Sequence, residues 1–161
     1  MRTEAEAGRA VEKYADTVRR VCFVHLKNYS DVEDVFQDVF LKYLLHDQPF
    51  ESDDHERAWL IRVAINSCKD MLKSFFRRKV VSLDDIETEP FYVPEESAHI
   101  LDAVLKLQEN YKNVIYLFYY EGYSAVEIAK MLNRRENTIY TWLSRAKSKL
   151  RESLGGEFFY E

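Results

Sequence analysis

The sequence has few of the residues that interrupt helices or cross-link small proteins. Among its 161 residues are four glycines, three prolines and two cysteines. Glycine and proline disfavour helix interiors, so their scarcity, with apolar residues at helical spacing, predicts an all-helical protein. Cys22 and Cys68 lie in predicted helices without the spacing of metal ligands. This pattern argues against a metal site and favours the reducing cytoplasm.

Long apolar runs are also missing. No run approaches the roughly 20 residues needed to span a bilayer, and the first residues are rich in acids rather than in the apolar side chains of a signal peptide. We therefore expect a cytoplasmic protein without direct membrane insertion. Apolar residues still make up 47% of the chain and aromatic residues 14%, which suffices for a packed core in one domain or two small ones.

Charge is segregated along the chain, although the net charge is only −5. Residues 31–56 hold nine acids and one base, a balance of −8, whereas residues 57–79 hold seven bases and one acid, a balance of +6. Residues 82–102 hold seven acids and no Lys or Arg, and residues 134–151 hold six bases and one acid. Alternating basic and acidic segments predict two contacts with DNA and a separate contact with a basic protein surface.

Residues 122–150 carry the most informative pattern. Ser124 and Glu127 form a predicted capping box at the start of a short helix. A turn is predicted at Asn133 and Arg134, because Asn tolerates the left-handed conformation that such turns need. Apolar residues at helical spacing are predicted to be buried: Val126, Ile128, Ala129 and Leu132 before the turn, and Ile139, Leu143, Ala146 and Leu150 after it. This layout is typical of a DNA-reading helix-turn-helix, while a helical hairpin with a solvated basic face is the alternative.

The remaining periodicity predicts two small helical domains. Helices are expected at residues 4–26, 30–45, 55–78, 98–110 and 112–120. Ser30 is the predicted N-cap of the second helix. Residues 80–97 contain two prolines and dense acids without helical period, which indicates a linker. We therefore predict a three-helix domain over residues 1–79, an acidic linker over residues 80–97, and a four-helix domain with the helix-turn-helix over residues 98–161.

Three segments resemble those of a known family. Ser-Asp-Val-Glu-Asp-Val-Phe-Gln-Asp-Val-Phe-Leu-Lys-Tyr at 30–43 is similar to an acid-rich D-x-E-D-x-x-Q-x-x-F helix. Arg-Ala-Trp-Leu-Ile-Arg-Val-Ala-Ile-Asn-Ser-Cys-Lys-Asp-Met-Leu at 57–72 is similar to a W-L-x-x-I-A-x-N-x-x-x-D-x-x-R block. With the helix-turn-helix, these blocks resemble bacterial sigma factors of the extracytoplasmic-function (ECF) group of the sigma-70 family. The resemblance implies a non-enzymatic initiation factor that binds core RNA polymerase, recognises promoters and helps to melt DNA.

The second predicted helix carries the expected polymerase contact. Asp34, Gln37, Asp38 and Leu41 share one face by their spacing. The resemblance implies that this face, with Asp31, docks on the polymerase, whose β′ and β subunits are the expected partners. Acids beside a glutamine suit a basic helical surface, although a solvated face has the same pattern. A metal site among these acids lacks a histidine or further acid at a suitable spacing.

The third predicted helix presents an amide amid cations on one face, at intervals of four, three and four residues. An amide can bond a base edge while cations contact phosphates. The resemblance implies that this face and the preceding loop capture the melted −10 element, with a flipped base held in the loop. The residues assigned to this role are Phe50, Arg62, Asn66, Lys69, Lys73 and Arg77. Trp59 is interpreted as a core residue rather than a stacking platform. The apolar residues of this helix that are expected to pack in the core are Trp59, Leu60, Val63, Ala64, Leu72 and Phe75.

The first turn of the last helix is expected to enter the major groove at the −35 element. Arg135 and Asn137 are favoured for direct readout, because Arg–guanine and Asn–adenine are common bidentate pairs. Arg145 and Lys147 suit phosphates. The full set is Arg134, Arg135, Glu136, Asn137, Tyr140, Thr141, Arg145 and Lys147.

The sequence departs from the family here. The turn has Asn133 where glycine is common, the capping position has Arg135 where a small residue is usual, and Tyr140-Thr141-Trp142 replaces a common Lys-Ser-Arg run. These departures predict an unusual −35 element, and burial of Trp142 against the preceding helices is a further expectation.

Two further expectations concern partners and alternatives. The resemblance implies an anti-sigma protein as a partner, whereas no cofactor, metal or small-molecule substrate is expected. The alternative function is a stand-alone helix-turn-helix regulator whose N-terminal bundle senses or dimerises. The basic segment at residues 57–79 argues against that alternative, since a sensing bundle has no need for it.

Overall fold

The computed structural model describes residues 1–78 and 95–155, with side chains for residues 1–74 and 98–155. These ranges contain seven α-helices and form two compact units, Met1–Pro90 and Phe91–Glu161. The predicted all-helical fold is confirmed. The predicted linker lies almost entirely outside the described residues, so its boundaries stay a prediction. Among the helices of the described ranges, none combines the length and apolarity that crossing a bilayer requires.

The first unit is a bundle of three helices. They are α1 (Glu4–His25), α2 (Tyr29–Leu45) and α3 (Asp53–Arg78), and each packs against the other two. The predicted bounds agree within two residues. The interior is apolar, and its largest fully buried side chains are Val18, Val21, Val32, Val39, Leu60, Ile61 and Ile65.

The buried face of α3 is rotated relative to its prediction. Trp59 and Val63 were expected in the core but are half-buried, whereas Ile61 and Ile65 are fully buried. Because successive helical residues lie about 100° apart, the burial of Ile61 and Ile65 displaces the buried face away from Trp59 and Val63. Phe75, also predicted to pack in this core, has a side chain outside the described set.

The start of α2 also differs from its prediction. Asn28, rather than Ser30, is the N-cap: its extended backbone (φ −129°, ψ 152°) lets its Oδ1 accept a hydrogen bond from the Asp31 N–H at 2.8 Å. Ser30 instead lies in the first turn of the helix. Both residue types cap well, so sequence preference alone could not decide between them.

A half-buried ion pair joins α1 to α2. Arg19 Nε donates to Glu33 Oε1 at 2.9 Å, and Arg19 Nη2 donates to Glu33 Oε2 at 3.3 Å. The same guanidinium lies 4.0 Å from the centroid of the Phe36 ring. The hydrogen bonds that Arg19 donates to Glu33 raise the pKa of Arg19, so the guanidinium stays charged. Two parallel hydrogen bonds with a cation–π contact make this a stronger tie than an ordinary surface pair.

The second unit has four helices, with α7 at its centre. They are α4 (Glu95–Leu105), α5 (Glu109–Ile115), α6 (Ala125–Leu132) and α7 (Glu136–Leu154), and α7 packs against each of the other three. A π-helical turn, Tyr116–Tyr120, extends α5. Its C-terminal end leads into Gly122, whose φ of +79° is the left-handed conformation that glycine adopts without steric cost.

The predicted break between α4 and α5 was wrong in position. Helices were expected at 98–110 and 112–120, but α4 ends at Leu105 and α5 begins at Glu109. The last turn of α4 tightens through a hydrogen bond from the Leu107 N–H to the Val104 carbonyl at 3.1 Å. Gln108 then takes an extended conformation that starts the next helix. No glycine or proline marks this break, which explains why the sequence pattern did not locate it.

The Arg19–Glu33 tie predicts a specific loss of stability. Arg19→Ala should lower the free energy of unfolding by about 1–3 kcal/mol, because it removes a bidentate charged hydrogen bond and leaves Glu33 unpaired. Chemical denaturation followed by circular dichroism measures this change.

Lys13→Ala is the matched control. Its ion pair with Asp53 also begins on α1, but the two side chains are 52% and 80% exposed, against 32% and 24% for Arg19 and Glu33. An exposed pair should contribute at most about 1 kcal/mol. Equal small losses for both variants would show that the Arg19 pair is no stronger than a surface ion pair.

Candidate nucleic-acid interface

The helix preceding the turn begins as predicted. Ser124 Oγ accepts a hydrogen bond from the Glu127 N–H at 3.1 Å, and Glu127 Oε1 accepts one from the Ser124 N–H at 2.9 Å. This reciprocal pair is the expected capping box. Its predicted apolar face needs two corrections: Ile128 and Ala129 are buried, but Val126 is exposed and Leu132 is half-buried. Val126 lies about 100° around the helix from the buried face that Ala125, Ile128 and Ala129 form.

Backbone hydrogen bonds close the turn between α6 and α7. Asn133 is left-handed (φ 54°, ψ 52°), and its N–H reaches the Lys130 carbonyl at 3.4 Å. The Arg134 N–H donates to the Ala129 carbonyl at 2.9 Å. This pair of bonds is a Schellman motif, which ends a helix at a left-handed residue. The predicted position of the turn and the reason for its asparagine are both confirmed.

The last helix separates a buried stripe from an exposed face. Its buried residues are those predicted: Ile139, Leu143, Ala146 and Leu150. Most residues predicted to contact DNA are exposed, namely Arg134, Arg135, Glu136, Asn137, Tyr140, Thr141 and Arg145. Arg135 is the N-cap by its backbone, but its side chain makes no capping bond. It is therefore free to point away from the helix end.

Two of the predicted DNA-contacting cations lie against aromatic rings. The Arg134 guanidinium is 5.9 Å from the ring centroid of Trp142, and Lys147 Nζ is 5.5 Å from that of Tyr119. Trp142 and Lys147 are both half-buried. The expected burial of Trp142 is thus partial. Lys147 is less accessible than Arg145, which is exposed.

The exposed face of α2 is only partly available to a partner. Asp34, Gln37 and Leu41 are exposed, and no hydrogen bond or ion pair joins the Asp34 or Gln37 side chain to another described residue. Asp31 accepts a hydrogen bond from Asn28 Nδ2 at 2.7 Å. That carboxylate belongs to the cap of α2 as well as to the predicted docking face.

Asp38 belongs to a network that joins α2 to α3. Its Oδ2 accepts a hydrogen bond from Ser67 Oγ at 3.1 Å and lies 2.9 Å from Lys42 Nζ. Lys42 Nζ also donates to Ser67 Oγ at 3.0 Å. Ser67 is buried in α3. Substitution of Asp38 would therefore disturb the packing of the bundle as well as any docking contact.

The polar face of α3 keeps its predicted order. Arg62, Asn66 and Lys73 are exposed, and Lys69 is half-buried. Because their intervals follow the helical repeat, the amide lies between cations on one face. The side chain of Arg77 lies outside the described set.

Five rings form a cluster where α2 passes through a loop into α3. This aromatic cluster consists of Tyr43, His46, Phe50, His55 and Trp59. Phe50 is central: its centroid lies 6.0 Å from that of Tyr43, 5.4 Å from those of His46 and His55, and 5.6 Å from that of Trp59. The half-buried Trp59 is part of this cluster rather than of the apolar core. Phe50 is thus held by packing on the loop.

Hydrogen bonds from two tyrosines hold the start of α3. The Tyr43 hydroxyl donates to Glu56 Oε2 at 2.7 Å, and the Tyr14 hydroxyl donates to the Asp53 carbonyl at 3.2 Å. Burial, reinforced by the bond to Glu56, raises the pKa of Tyr43 to about 12. Burial likewise raises the pKa of Tyr14.

Sequence reasoning missed Arg2, which also contacts the aromatic cluster. Its guanidinium carbon lies 4.7 Å from the ring centroids of both Tyr43 and Phe50, and its Nη2 donates to the Gln48 carbonyl at 2.7 Å. The Arg2 N–H donates to the Leu44 carbonyl at 2.9 Å. Arg2 precedes the first helix, and no periodicity or motif there signals such a contact.

Comparisons with known proteins agree with this arrangement. A family model described as Sigma-70 region 2 matches residues 10–78, and one described as Sigma-70, region 4 matches residues 98–150. The ECF RNA polymerase sigma factor SigL of Mycobacterium tuberculosis (strain H37Rv) is 32% identical over 133 residues, which cover 78% of this chain and 75% of that protein. The chain belongs to the ECF group of sigma-70 factors.

Other relatives of this ECF sigma factor match over most of its length. ECF RNA polymerase sigma factor SigW of Bacillus subtilis (strain 168) is 26% identical over 161 residues, covering 89% of this chain and 86% of the relative. ECF RNA polymerase sigma factor BldN of Streptomyces coelicolor is 32% identical over 156 residues, covering 89% of this chain but 58% of the relative. The chain is thus an RNA polymerase sigma initiation factor.

Solved structures share the fold. The sigma factor RpoE from Bartonella quintana, in complex with the anti-sigma factor NepR, aligns with a TM-score of 0.78 at 20% identity, covering 93% of this chain and 97% of that one. CnrH, in complex with the cytosolic domain of CnrY, aligns with a TM-score of 0.67 at 23% identity, covering 96% and 91%. The stand-alone regulator is not favoured, because the region 2 match occupies the domain that it would use for sensing or dimerising.

The raised pKa of Tyr43 predicts a pH dependence of stability. The fold stabilises the neutral phenol, so this contribution is complete below the ordinary pKa of 10.0 and is lost as the pH rises through about 12. Between those values the free energy of unfolding should fall by about 1.4 kcal/mol per pH unit from this group alone. Urea denaturation at pH 8 to 11 measures the slope. Tyr43→Phe should make the slope above pH 10 shallower, and an unchanged slope would contradict the assignment.

Proposed function

We propose that this ECF sigma factor docks on core RNA polymerase through α2 and contacts promoter DNA through two surfaces, on α3 with its preceding loop and on α7. The observation that carries the proposal is the orientation of these helices. Each buries an apolar stripe within its own unit and turns outward most of the described side chains predicted to meet a partner. The two units would thereby supply one DNA contact each.

Asp34, Gln37 and Leu41 form the proposed docking surface. A carboxylate and an amide suit a basic helical surface of the β′ subunit, and complementary charge accelerates and orients encounter. The exposed leucine adds apolar area that docking would bury. Asp31 and Asp38 lie at its rim, and a further contact with the β subunit is part of the proposal.

The −10 element is proposed to bind α3 and the aromatic cluster. Asn66 can read a base edge while Arg62, Lys69, Lys73 and Arg77 contact phosphates. In the loop, Phe50 offers a ring against which an unpaired base can stack. Such stacking contributes about 1–3 kcal/mol per base and tolerates any sequence. Specificity therefore depends on polar groups beside the ring.

The −35 element is proposed to meet the first turns of α7. Arg135 and Asn137 face bases, with Glu136, Tyr140 and Thr141 beside them. The exposed Arg145 suits a phosphate. Arg134 and Lys147 would reach phosphates once they leave their contacts with the rings of Trp142 and Tyr119.

An anti-sigma protein is proposed as a second protein partner. Support comes from RpoE, whose structure of the same fold was determined with the anti-sigma factor NepR bound. We further propose that the chain acts in the cytoplasm, where RNA polymerase works, and that it catalyses no reaction itself.

A charge reversal tests the docking surface. Asp34→Lys should weaken binding to bacterial core RNA polymerase by at least about tenfold, because a like charge would then face a basic surface. Asp34 is preferable to Asp38, whose bond to Ser67 would confuse docking with folding. Fluorescence anisotropy of labelled protein measures the affinity.

Glu12→Lys is the control, since it makes the same change of charge at an exposed position of α1. It should bind core polymerase like the wild type. If Asp34→Lys leaves the affinity unchanged, α2 does not form the interface with core polymerase. If both variants lose affinity equally, the loss reflects the net charge of the protein rather than a contact of Asp34.

Base readout by α7 has its own test. Arg135→Ala should cost about 1–3 kcal/mol of promoter binding at a single −35 position and relax the preference there. Arg145→Ala should instead weaken binding similarly for all sequences and reduce its salt dependence. Holoenzyme binding to a library of single-base promoter variants distinguishes the two patterns. A uniform loss for Arg135→Ala would make that residue a phosphate contact.

A further inference from the structure

Arg2 joins three parts of the first unit that the helical pattern leaves separate. Its backbone N–H satisfies the Leu44 carbonyl, one of the last carbonyls of α2, which has no partner within the helix. Its guanidinium donates to the Gln48 carbonyl, in the loop between α2 and α3. Arg2 thus connects the segment before α1 to both the end of α2 and the loop.

The same guanidinium contacts two rings, one on α2 and one on the loop that follows it. Tyr43 is fixed, because it is buried in α2 and its hydroxyl is bonded to Glu56. Phe50 lies on the loop, with its ring 8° from parallel to that of Tyr43 and 6.0 Å away. A cation 4.7 Å from both centroids links the loop ring to the fixed ring. Arg2 therefore adds to the ring packing that holds Phe50 in place.

Arg2 also reduces the negative charge of the loop and of the first turn of α3. Residues 46–56 contain five acids and no Lys or Arg. A DNA strand brought to Phe50 carries a phosphate at every nucleotide, and the acids would repel it. Lys13 is paired with Asp53 at 2.8 Å, and Arg2 supplies a further positive charge beside the ring.

Arg2 is not optimised as a simple structural tie. Its Nε is buried without a hydrogen-bond partner among the described residues. A buried donor without a partner is destabilising and offsets part of the stability that the other Arg2 contacts supply.

We propose that Arg2 is a positioning residue for the −10 strand: it holds Phe50 in place to stack on an unpaired base and offsets the acidic charge of the loop. This inference rests on the proposed role of the aromatic cluster in base capture. The ligand is a single-stranded promoter base together with its flanking phosphates.

The test uses holoenzyme assembled from bacterial core RNA polymerase and the full chain, with any tag placed after residue 161. Promoters selected with the wild type carry 2-aminopurine in the −10 region, whose fluorescence reports strand opening. Arg2→Ala should slow opening by roughly tenfold, the effect of losing a charged hydrogen bond and two cation–π contacts. The loss should depend strongly on the base at one −10 position and leave −35 discrimination unchanged.

Two variants serve as references. Arg2→Lys keeps a cation that can reach the ring and the Gln48 carbonyl, but not the planar fork, so it should restore part of the rate. Arg9→Ala removes an exposed charge from α1 and should leave opening within about twofold of the wild type. Hydrogen exchange at residues 46–52 should accelerate in Arg2→Ala while the core of the bundle keeps its protection.

The outcomes distinguish the positioning role of Arg2 from the capture of a base at Phe50, on which that role depends. If opening falls equally at every base with a parallel fall in melting temperature, Arg2 is only a structural tie and the inference is overturned. Faster opening by Arg2→Ala would show that Arg2 obstructs the cluster, which also overturns it. Phe50→Ala tests the underlying site: if it leaves base preference unchanged, the loop does not capture a base. If Phe50→Ala abolishes that preference while Arg2→Ala has no effect, only the role of Arg2 fails.

Discussion

The burial of one apolar stripe per helix determines which side chains of that helix face outward and can contact a partner. On α7, Ile139, Leu143 and Ala146 must face the other helices of their unit, and this requirement turns Arg135 and Asn137 outward. The same constraint acts on α3, where the burial of Ile61 and Ile65 leaves Arg62, Asn66 and Lys73 exposed. The functional faces are therefore consequences of packing, since the helical repeat leaves them no other direction.

Local features could be predicted from the sequence. The capping box of Ser124 with Glu127 and the left-handed Asn133 each involve residues within five positions of one another. The misplaced cap of α2 and the misplaced break before α5 show the limit of such reasoning, because several nearby residues were comparably suited to either role.

Contacts between distant residues were beyond prediction. Asp38 and Ser67 are separated by 29 positions, and Arg2 and Gln48 by 46. Nothing in the spacing of either pair indicates that they meet, because their proximity arises from the packing of whole helices. The resemblance to sigma factors predicted the candidate faces but not these contacts. The sequence thus predicted which surfaces form the candidate site, but not the hydrogen bonds between distant residues that hold those surfaces in place.

Opposite charge on neighbouring helices gives the first unit two kinds of surface. The acidic face of α2 suits protein, and the basic face of α3 suits nucleic acid, yet the two helices pack together and share a loop rich in acids. Where the helices meet, Lys42 neutralises the negative charge of Asp38, and Ser67 is hydrogen-bonded to both side chains. Arg2 and Lys13 do so at the loop. A small bundle can in this way hold surfaces for two partners with opposite electrostatic requirements.

The turn before α7 has a consequence for how this protein diverges over generations. The angle between α6 and α7 is set by backbone hydrogen bonds at Ala129 and Lys130, by one left-handed residue and by a buried stripe. None of these depends on the exposed side chains at positions 135, 137, 140 and 141. Substitutions there that preserve the helix should cost little stability, so under the proposed role of α7 in base readout a duplicated gene could acquire a new promoter preference while its copy keeps the old one.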